Sequence, residues 1–185
     1  MGFWELLILA VGLSMDAFAI SICKGLSVER VEKRHLLSAG LWFGGAQAVM
    51  PLIGYFLGSS FQSVVEQVDH WIAFVLLGLI GVNMIRESRG EAECLDDSFS
   101  AKAMFPLAIA DSIDALAVGV TFAFMEVPIL SAVLLIGVTT FVFSAAGIRI
   151  GNRFGSKYKA KAELTGGAIL ILMGILILIE DLGIL

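Results

Sequence analysis

The chain has 185 residues, of which 58% are hydrophobic and only 16% are charged. Its mean hydropathy of +0.94 excludes an ordinary water-soluble domain. The net charge of -5 at pH 7 says little, because in membrane proteins the placement of Lys and Arg is informative and their total is not. No nucleic-acid partner is expected.

Apolar blocks between charged clusters predict an all-α membrane protein with six transmembrane helices. A hydrocarbon core of about 30 Å needs roughly 20 mostly apolar residues per helix, and the blocks lack the alternation of barrel strands. No Lys or Arg precedes the first block, so this helix is expected to stay in the mature protein. The predicted spans are 3–23, 36–58, 70–86, 103–124, 128–150 and 164–180.

The basic residues predict the orientation. All 12 Lys and Arg residues fall in or beside the loops after spans 1, 3 and 5. By the positive-inside rule these loops are cytoplasmic and both termini lie outside, as expected for a multi-pass protein of the bacterial inner membrane. The basic residues are Lys24, Arg30, Lys33, Arg34, Arg86, Arg89, Lys102, Arg149, Arg153, Lys157, Lys159 and Lys161.

The longest loop, 87–102, contains the acidic run EAECLDD. Such a run is either a cytoplasmic patch that collects cations or a solvated linker, and the sequence leaves both interpretations open.

The two halves of the chain resemble each other. The segment SMDAFA at 14–19 returns as SIDALA at 112–117, an offset of 98, and Gly54 and Gly58 match Gly147 and Gly151 at an offset of 93. This indicates two three-helix units, residues 1–90 and 91–185, within one membrane domain. Because each unit has an odd number of spans, the second is expected to be inverted, with a substrate site where the units meet near the bilayer midplane.

Small residues spaced by four predict close helix packing in spans 2 and 5. Gly40, Gly44, Gly54 and Gly58 show this spacing in span 2, and Gly147 and Gly151 show it in span 5. Such spacing brings helix backbones together, and packing within the chain is a simpler explanation than a dimer interface.

Acidic residues near the bilayer midplane are the candidate functional groups. Asp16 lies in span 1 and Asp114 at the matching position of span 4, and each costs about 2.5 to 3.5 kcal/mol to insert. Asp111 precedes Asp114 by three residues, which places both on the same helical face, although its match in the first repeat is Leu13. Only a proton, hydrogen bonds or a bound cation can compensate these charges.

Two amides are further candidate ligands, Gln47 in span 2 and Asn83 in span 3. The alternative role for either amide is a hydrogen bond to a neighbouring helix. Pro51, four residues after Gln47, removes one helical hydrogen bond and frees a carbonyl. Both histidines, His35 and His70, lie at membrane edges, so the oxygen-rich set suits a hard divalent cation such as manganese, magnesium or calcium.

Four segments carry a family resemblance. With SMDAFA, FGGAQAVMPLIGYFLG at 43–58, HWIAFVLL at 70–77 and SIDALAVG at 112–119, the chain resembles the bacterial manganese efflux pumps of the MntP type, which are related to the lysine exporter superfamily. The resemblance covers essentially the whole chain. It implies a six-helix manganese exporter in which Asp16 and Asp114 are functional.

The chain departs from some members of that family at three positions. Gln47 stands where some members have Glu, Asn83 where some have a basic residue, and Asp111 where some have a hydroxyl. The resemblance thus implies an acidic group in span 4 in place of the one that some members have in span 2.

These observations predict a secondary transporter that exports Mn2+ as its substrate, with protons entering in exchange. Outward movement of a divalent cation costs about 4.6 kcal/mol per 100 mV of membrane potential, and the sequence has no GxxxxGK[ST] loop for ATP. No cofactor is expected, and the oligomeric state is open. The alternatives are an exporter of an amino acid or other small organic cation and a non-transporting membrane scaffold. An enzyme is disfavoured, because no nucleophile and base pair stands out.

Overall fold

The computed structural model describes residues 2–60, 97–125 and 127–154, with isolated positions between 74 and 86 and between 164 and 175. Every regular element in this part of the chain is an α-helix, which agrees with the all-α prediction. In chain order the helices are α1 (Phe3–Ser27), α2 (Lys33–Ser59), α3 (Ala101–Asp111), α4 (Ile113–Phe124) and α5 (Ile129–Phe154).

The helices α1, α2 and α5 are each long and apolar enough to cross a membrane. The pair α3 and α4 passes the same test when taken together. These elements coincide with the predicted spans 3–23, 36–58, 103–124 and 128–150. The predicted spans 70–86 and 164–180 lie outside the described residues apart from isolated positions, so the count of six remains a prediction.

The fourth predicted span is not the unbroken helix expected from the sequence. The chain bends by 43° between α3 and α4, and Ser112 lies between them with φ -94° and ψ 5°. Asp111 therefore ends one helix, and Asp114 lies in the first turn of the next. The continuous helix expected for this span is therefore interrupted, and the prediction that both carboxylates share one helical face stays a prediction.

Helix α1 is the most buried of the three long helices. In its most apolar 18-residue stretch 61% of the residues are buried, against 33% for α2 and 28% for α5. Small side chains such as Ala10, Ala17 and Ala19, all fully buried, let the other helices approach it. Large apolar side chains on the outer helices, such as Leu41 and Leu130, are exposed, which suits contact with lipid tails.

Helix α2 packs against α4 at two glycines. A Cβ at Gly54 would overlap the carbonyl oxygen of Leu116, and one at Gly58 would lie 2.9 Å from that of Val120. These distances leave no room for a side chain, so the backbones touch directly.

The same arrangement occurs between α5 and α1. A Cβ at Gly147 would lie 2.8 Å from the carbonyl oxygen of Phe18, and one at Gly151 would overlap that of Ile22. The glycines of spans 2 and 5 are thus packing residues within the chain, as their spacing predicts.

Helices α2 and α5 also cross each other at a glycine pair. A Cβ at Gly44 would lie 2.7 Å from the carbonyl oxygen of Gly137, and a Cβ at Gly137 would lie 3.1 Å from that of Gly44. The contact is reciprocal, because each glycine faces the carbonyl of the other.

A buried lysine holds the segment that precedes α3. Lys24 in the last turn of α1 is fully buried, and its Nζ donates a hydrogen bond to the Ser98 carbonyl oxygen at 2.9 Å. The same ammonium lies 5.4 Å from the centre of the Phe99 ring, a cation–π distance. The His35 ring stacks on Phe99 with a centroid separation of 4.7 Å. Residues 97–100 of the acidic loop are thereby fixed to α1 and α2.

Candidate functional site

The fourth span is interrupted at Ser112, and both backbone groups and acidic side chains lie at this bend. The Ser112 N–H donates to the carbonyl oxygens of Ala108 at 3.1 Å and Ile109 at 3.2 Å. Its Oγ donates to Ala108 as well, at 2.7 Å. Because Ser112 satisfies these carbonyls, α3 ends without exposing them, and Asp111 and Asp114 flank the bend. Discontinuous spans of this kind form the binding sites of many secondary transporters.

Asp111 forms the buried centre of the site with Gln47 of α2. Asp111 is 2% exposed and Gln47 is fully buried. The Gln47 Nε2 donates to the backbone oxygen of Asp111 at 3.3 Å and to its Oδ2 at 3.4 Å. The sequence predicts both as site residues, and the structure places them in contact.

Two oxygens of this pair are left without a hydrogen-bond partner. Among the residues that the structure describes, neither the Gln47 Oε1 nor the Asp111 Oδ1 is hydrogen-bonded, although both are buried. A buried polar atom without a partner costs about 1 to 3 kcal/mol, so such atoms mark a place where a ligand is favoured.

Pro51 removes one backbone hydrogen-bond donor close to Gln47. It lies inside α2 and is buried. Because proline has no N–H, it cannot donate to the Gln47 carbonyl one turn earlier. A Cβ at Gly119 of α4 would lie 2.5 Å from the Pro51 Cα, so the proline is packed tightly against α4.

Asp16 and Asp114 lie close enough to act electrostatically on Asp111. Both side chains are partly exposed, whereas Asp111 is buried. The three acids that the sequence singles out thus belong to α1, α3 and α4, with Asp111 within electrostatic reach of the other two.

The described residues do not contain a closed metal centre. Within residues 2–60, 97–125 and 127–154, no three His, Cys, Asp or Glu side chains lie close enough to share one metal ion. Mutual repulsion of like charges is a sufficient reason for the acids to stand apart. Asn83, the remaining predicted ligand, lies outside the described residues.

The hydroxyls of Ser14 and Thr121, which could also supply oxygen to the site, bond within their own helices. The Ser14 Oγ donates to Ala10 at 2.6 Å, and the Thr121 Oγ1 donates to Ala117 at 3.3 Å. Ser14 also lies 2.8 Å from the Thr140 Oγ1 of α5.

Thr140 is a fully buried polar residue that the sequence patterns do not single out. A threonine in an apolar helix attracts no attention by composition. The signal that identifies it is the repeat, because the offset of 93 that relates Gly54 to Gly147 carries Gln47 onto Thr140.

Comparison with known proteins gives a consistent family assignment. The family model described as "Putative manganese efflux pump" matches residues 30–178. Relatives named "Putative manganese efflux pump MntP" include one from Desulfitobacterium hafniense (strain Y51), 60% identical over 100% of this chain and 98% of its own. Another, from Acetivibrio thermocellus, is 56% identical over 98% of this chain and 92% of its own. No solved structure matches the chain.

The agreement extends over nearly the whole length of both chains, including the segments that contain Asp16, Gln47 and Asp114. A third relative with the same name, from Mannheimia succiniciproducens, is 52% identical over 97% of each chain. The chain therefore belongs to the family of membrane transporters described as "putative manganese efflux pump".

Proposed function

We propose that this protein exports Mn2+ from the cytoplasm and that Asp16, Asp111, Asp114 and Gln47 bind the ion, with Asn83 as a further ligand. The observation that carries the proposal is the buried contact between Asp111 and Gln47 beside the bend in the fourth span. The Gln47 Oε1 and the Asp111 Oδ1, which have no hydrogen-bond partner, favour the binding of a cation.

The ligand chemistry supports a hard divalent ion. Carboxylate, amide and backbone oxygens suit manganese, magnesium or calcium, whereas zinc and copper favour imidazole or thiolate ligands. The names of the relatives select manganese from the three. We expect a bound Mn2+ to draw Asp16 and Asp114 toward Asp111, because the ion replaces the repulsion among the acids by attraction.

The same groups link metal export to proton entry. A carboxylate in a water-poor interior binds either a proton or a metal ion, and metal binding releases the proton. An outward-moving Mn2+ thus leaves the acids ready to accept protons from outside. This exchange supplies the energy needed to move two positive charges against an inside-negative potential.

An inverted repeat provides the conformational change. Gly44 and Gly137, which contact each other, are related by the offset of 93, and so are Gly54 and Gly147. The carbonyls they meet, Leu116 for Gly54 and Phe18 for Gly147, are related by the offset of 98. Matching contacts of this kind are what a two-fold relation between units 1–90 and 91–185 requires, and they support alternating access by rocking one unit against the other.

The basic residues support an orientation for this cycle. The end of α1, the beginning of α2 and the end of α5 lie together, and they carry Lys24, Lys33, Arg149 and Arg153. By the positive-inside rule that end of the bundle is cytoplasmic, and the protein resides in the bacterial inner membrane with both termini outside.

Metal-dependent stabilisation of the purified protein tests the proposal. Mn2+ at 100 times its Kd is expected to add about 2.7 kcal/mol to the free energy of unfolding. Asp16→Asn and Asp114→Asn should abolish most of this gain. Asp97→Asn, which changes an exposed acid in the loop, serves as the control and should retain it. The measurement is the thermal unfolding midpoint with and without MnCl2.

The same assay separates the rival functions. Stabilisation by lysine or another amino acid, with none by Mn2+, would indicate an exporter of small organic cations. An equal response to Mn2+ in the wild type, Asp16→Asn and Asp114→Asn would place the metal outside the proposed site.

A further inference from the structure

Helices α2 and α5 meet along a line of contact, the seam. One end of this seam contains a cavity lined by basic side chains, the basic cavity. This cavity has a volume of about 510 Å³. Its lining includes Glu32, Lys33, Leu36, Arg149, Asn152 and Arg153. The cavity lies where α2 begins and α5 ends, and both helices are candidate membrane spans. It is therefore placed where the membrane meets water.

The charge of the basic cavity favours an anion. Among the described lining residues, the cations Lys33, Arg149 and Arg153 outnumber the carboxylate, Glu32. That carboxylate is already paired with the Arg34 guanidinium, with an Nε to Oε2 distance of 2.9 Å. The first-turn N–H groups of α2 add a partial positive charge. A lining of this charge suits an anion better than Mn2+.

The geometry of the basic cavity is fixed by Asn152. Its Nδ2 donates to the carbonyl oxygen of Val28 at 2.6 Å and to that of Gly25 at 3.3 Å. These bonds tie the end of α5 to the end of α1. Arg149, one turn earlier in α5, lines the same cavity as Lys33.

An apolar groove continues from the basic cavity along the same seam. This groove has a volume of about 220 Å³, and its lining includes Gly40, Leu41, Gly45, Val138 and Phe141. Gly40 lies one helical turn beyond Leu36 of the cavity, and Phe141 about two turns from Arg149. The seam thus offers a cationic site at the membrane surface and an apolar channel leading from it into the bilayer.

We propose that this seam binds an anionic phospholipid, with its phosphate in the basic cavity and one acyl chain in the apolar groove. Arginine and lysine are the side chains that recognise phosphate, and basic pockets between transmembrane helices on the cytoplasmic side bind anionic headgroups. The site is separate from the Asp111–Gln47 pair and extends beyond the proposed transport function.

The headgroup part is tested with the full-length protein in detergent. Phosphatidylglycerol should raise the thermal unfolding midpoint by about 5 °C, and phosphatidylcholine should not. The double variant Lys33→Gln with Arg149→Gln should lose at least two thirds of this shift. The double variant Arg30→Gln with Lys102→Gln removes two exposed cations outside the cavity lining and should keep the full shift. Equal shifts in the two double variants would overturn the proposal.

The groove is tested by filling it. A Cβ at Gly45 has no atom within 4 Å, so Gly45→Leu should occupy the groove without disturbing the helices. Gly78 is equally open, and Gly78→Leu is the matched control. Native mass spectrometry should detect retained phosphatidylglycerol in the wild type and Gly78→Leu but several-fold less in Gly45→Leu. Full retention in Gly45→Leu would overturn the proposal, and so would a shift with inorganic phosphate alone equal to that with phosphatidylglycerol.

Discussion

At the residue scale the site depends on one amide and one carboxylate. Gln47 donates to both the backbone and the side chain of Asp111, so it holds the end of α3 as well as the acid. A second oxygen on each side chain remains available for a ligand. The pair therefore combines a structural contact with two oxygens that, in the proposed function, bind the transported ion.

The two side chains of this pair should differ in their effect on stability. Gln47→Leu removes both hydrogen bonds and leaves buried oxygens of Asp111 without a partner, so it should lower the free energy of unfolding by about 1 to 3 kcal/mol. Asp111→Asn keeps an acceptor for Gln47 and removes the repulsion from Asp16 and Asp114. This variant should therefore not lower the free energy of unfolding. Denaturant titration without metal measures both values, and a loss in Asp111→Asn as large as that in Gln47→Leu would contradict this account.

The sequence predicts which residues matter better than it predicts how they meet. Asp16, Asp111, Asp114 and Gln47 stand out because charged and amide side chains are costly in an apolar helix. Their grouping depends on how three helices cross, which periodicity does not report. Thr140 does not stand out, because a threonine satisfies its hydroxyl within its own helix at little cost.

At the scale of the helices, glycine contacts position the site. Gly54 and Gly58 bring α2 onto α4, which places Gln47 beside Asp111. The spacing of these glycines predicts close packing, but the partner helix becomes visible only in the structure. The bend at Ser112 is likewise not evident from the sequence, because neither glycine nor proline stands at that position to interrupt the apolar run.

Adding a single methyl group at Gly54 should separate these helices. A Cβ at this position would overlap the Leu116 carbonyl oxygen, and overpacking of this kind costs about 1 to 3 kcal/mol. Gly45→Ala places the same methyl group in open space on the same helix and should cost nothing. Thermal unfolding of the two variants provides the comparison. If Gly54→Ala is as stable as Gly45→Ala, the close approach of α2 and α4 does not hold the bundle together.

At the scale of the molecule, some residues of the proposed site obey the two-fold relation and others do not. The repeat supplies Asp16 and Asp114 at matching positions, whereas Asp111 corresponds to Leu13 and Gln47 to Thr140. In the proposed function the two units are therefore related in fold but unequal in ligands. One unit binds the ion with more side chains, and the other packs against it. The account therefore requires that Mn2+ and protons compete for one set of acids as the units move.

Transport by proteoliposomes tests that requirement most directly. Vesicles with an acidic interior should accumulate Mn2+, by about tenfold per pH unit for each proton exchanged, and should stop doing so when the pH gradient is collapsed. Vesicles containing Asp16→Asn or Asp114→Asn should accumulate none. Mn2+ accumulation that is the same with and without the pH gradient, or that persists in both variants, would contradict the account.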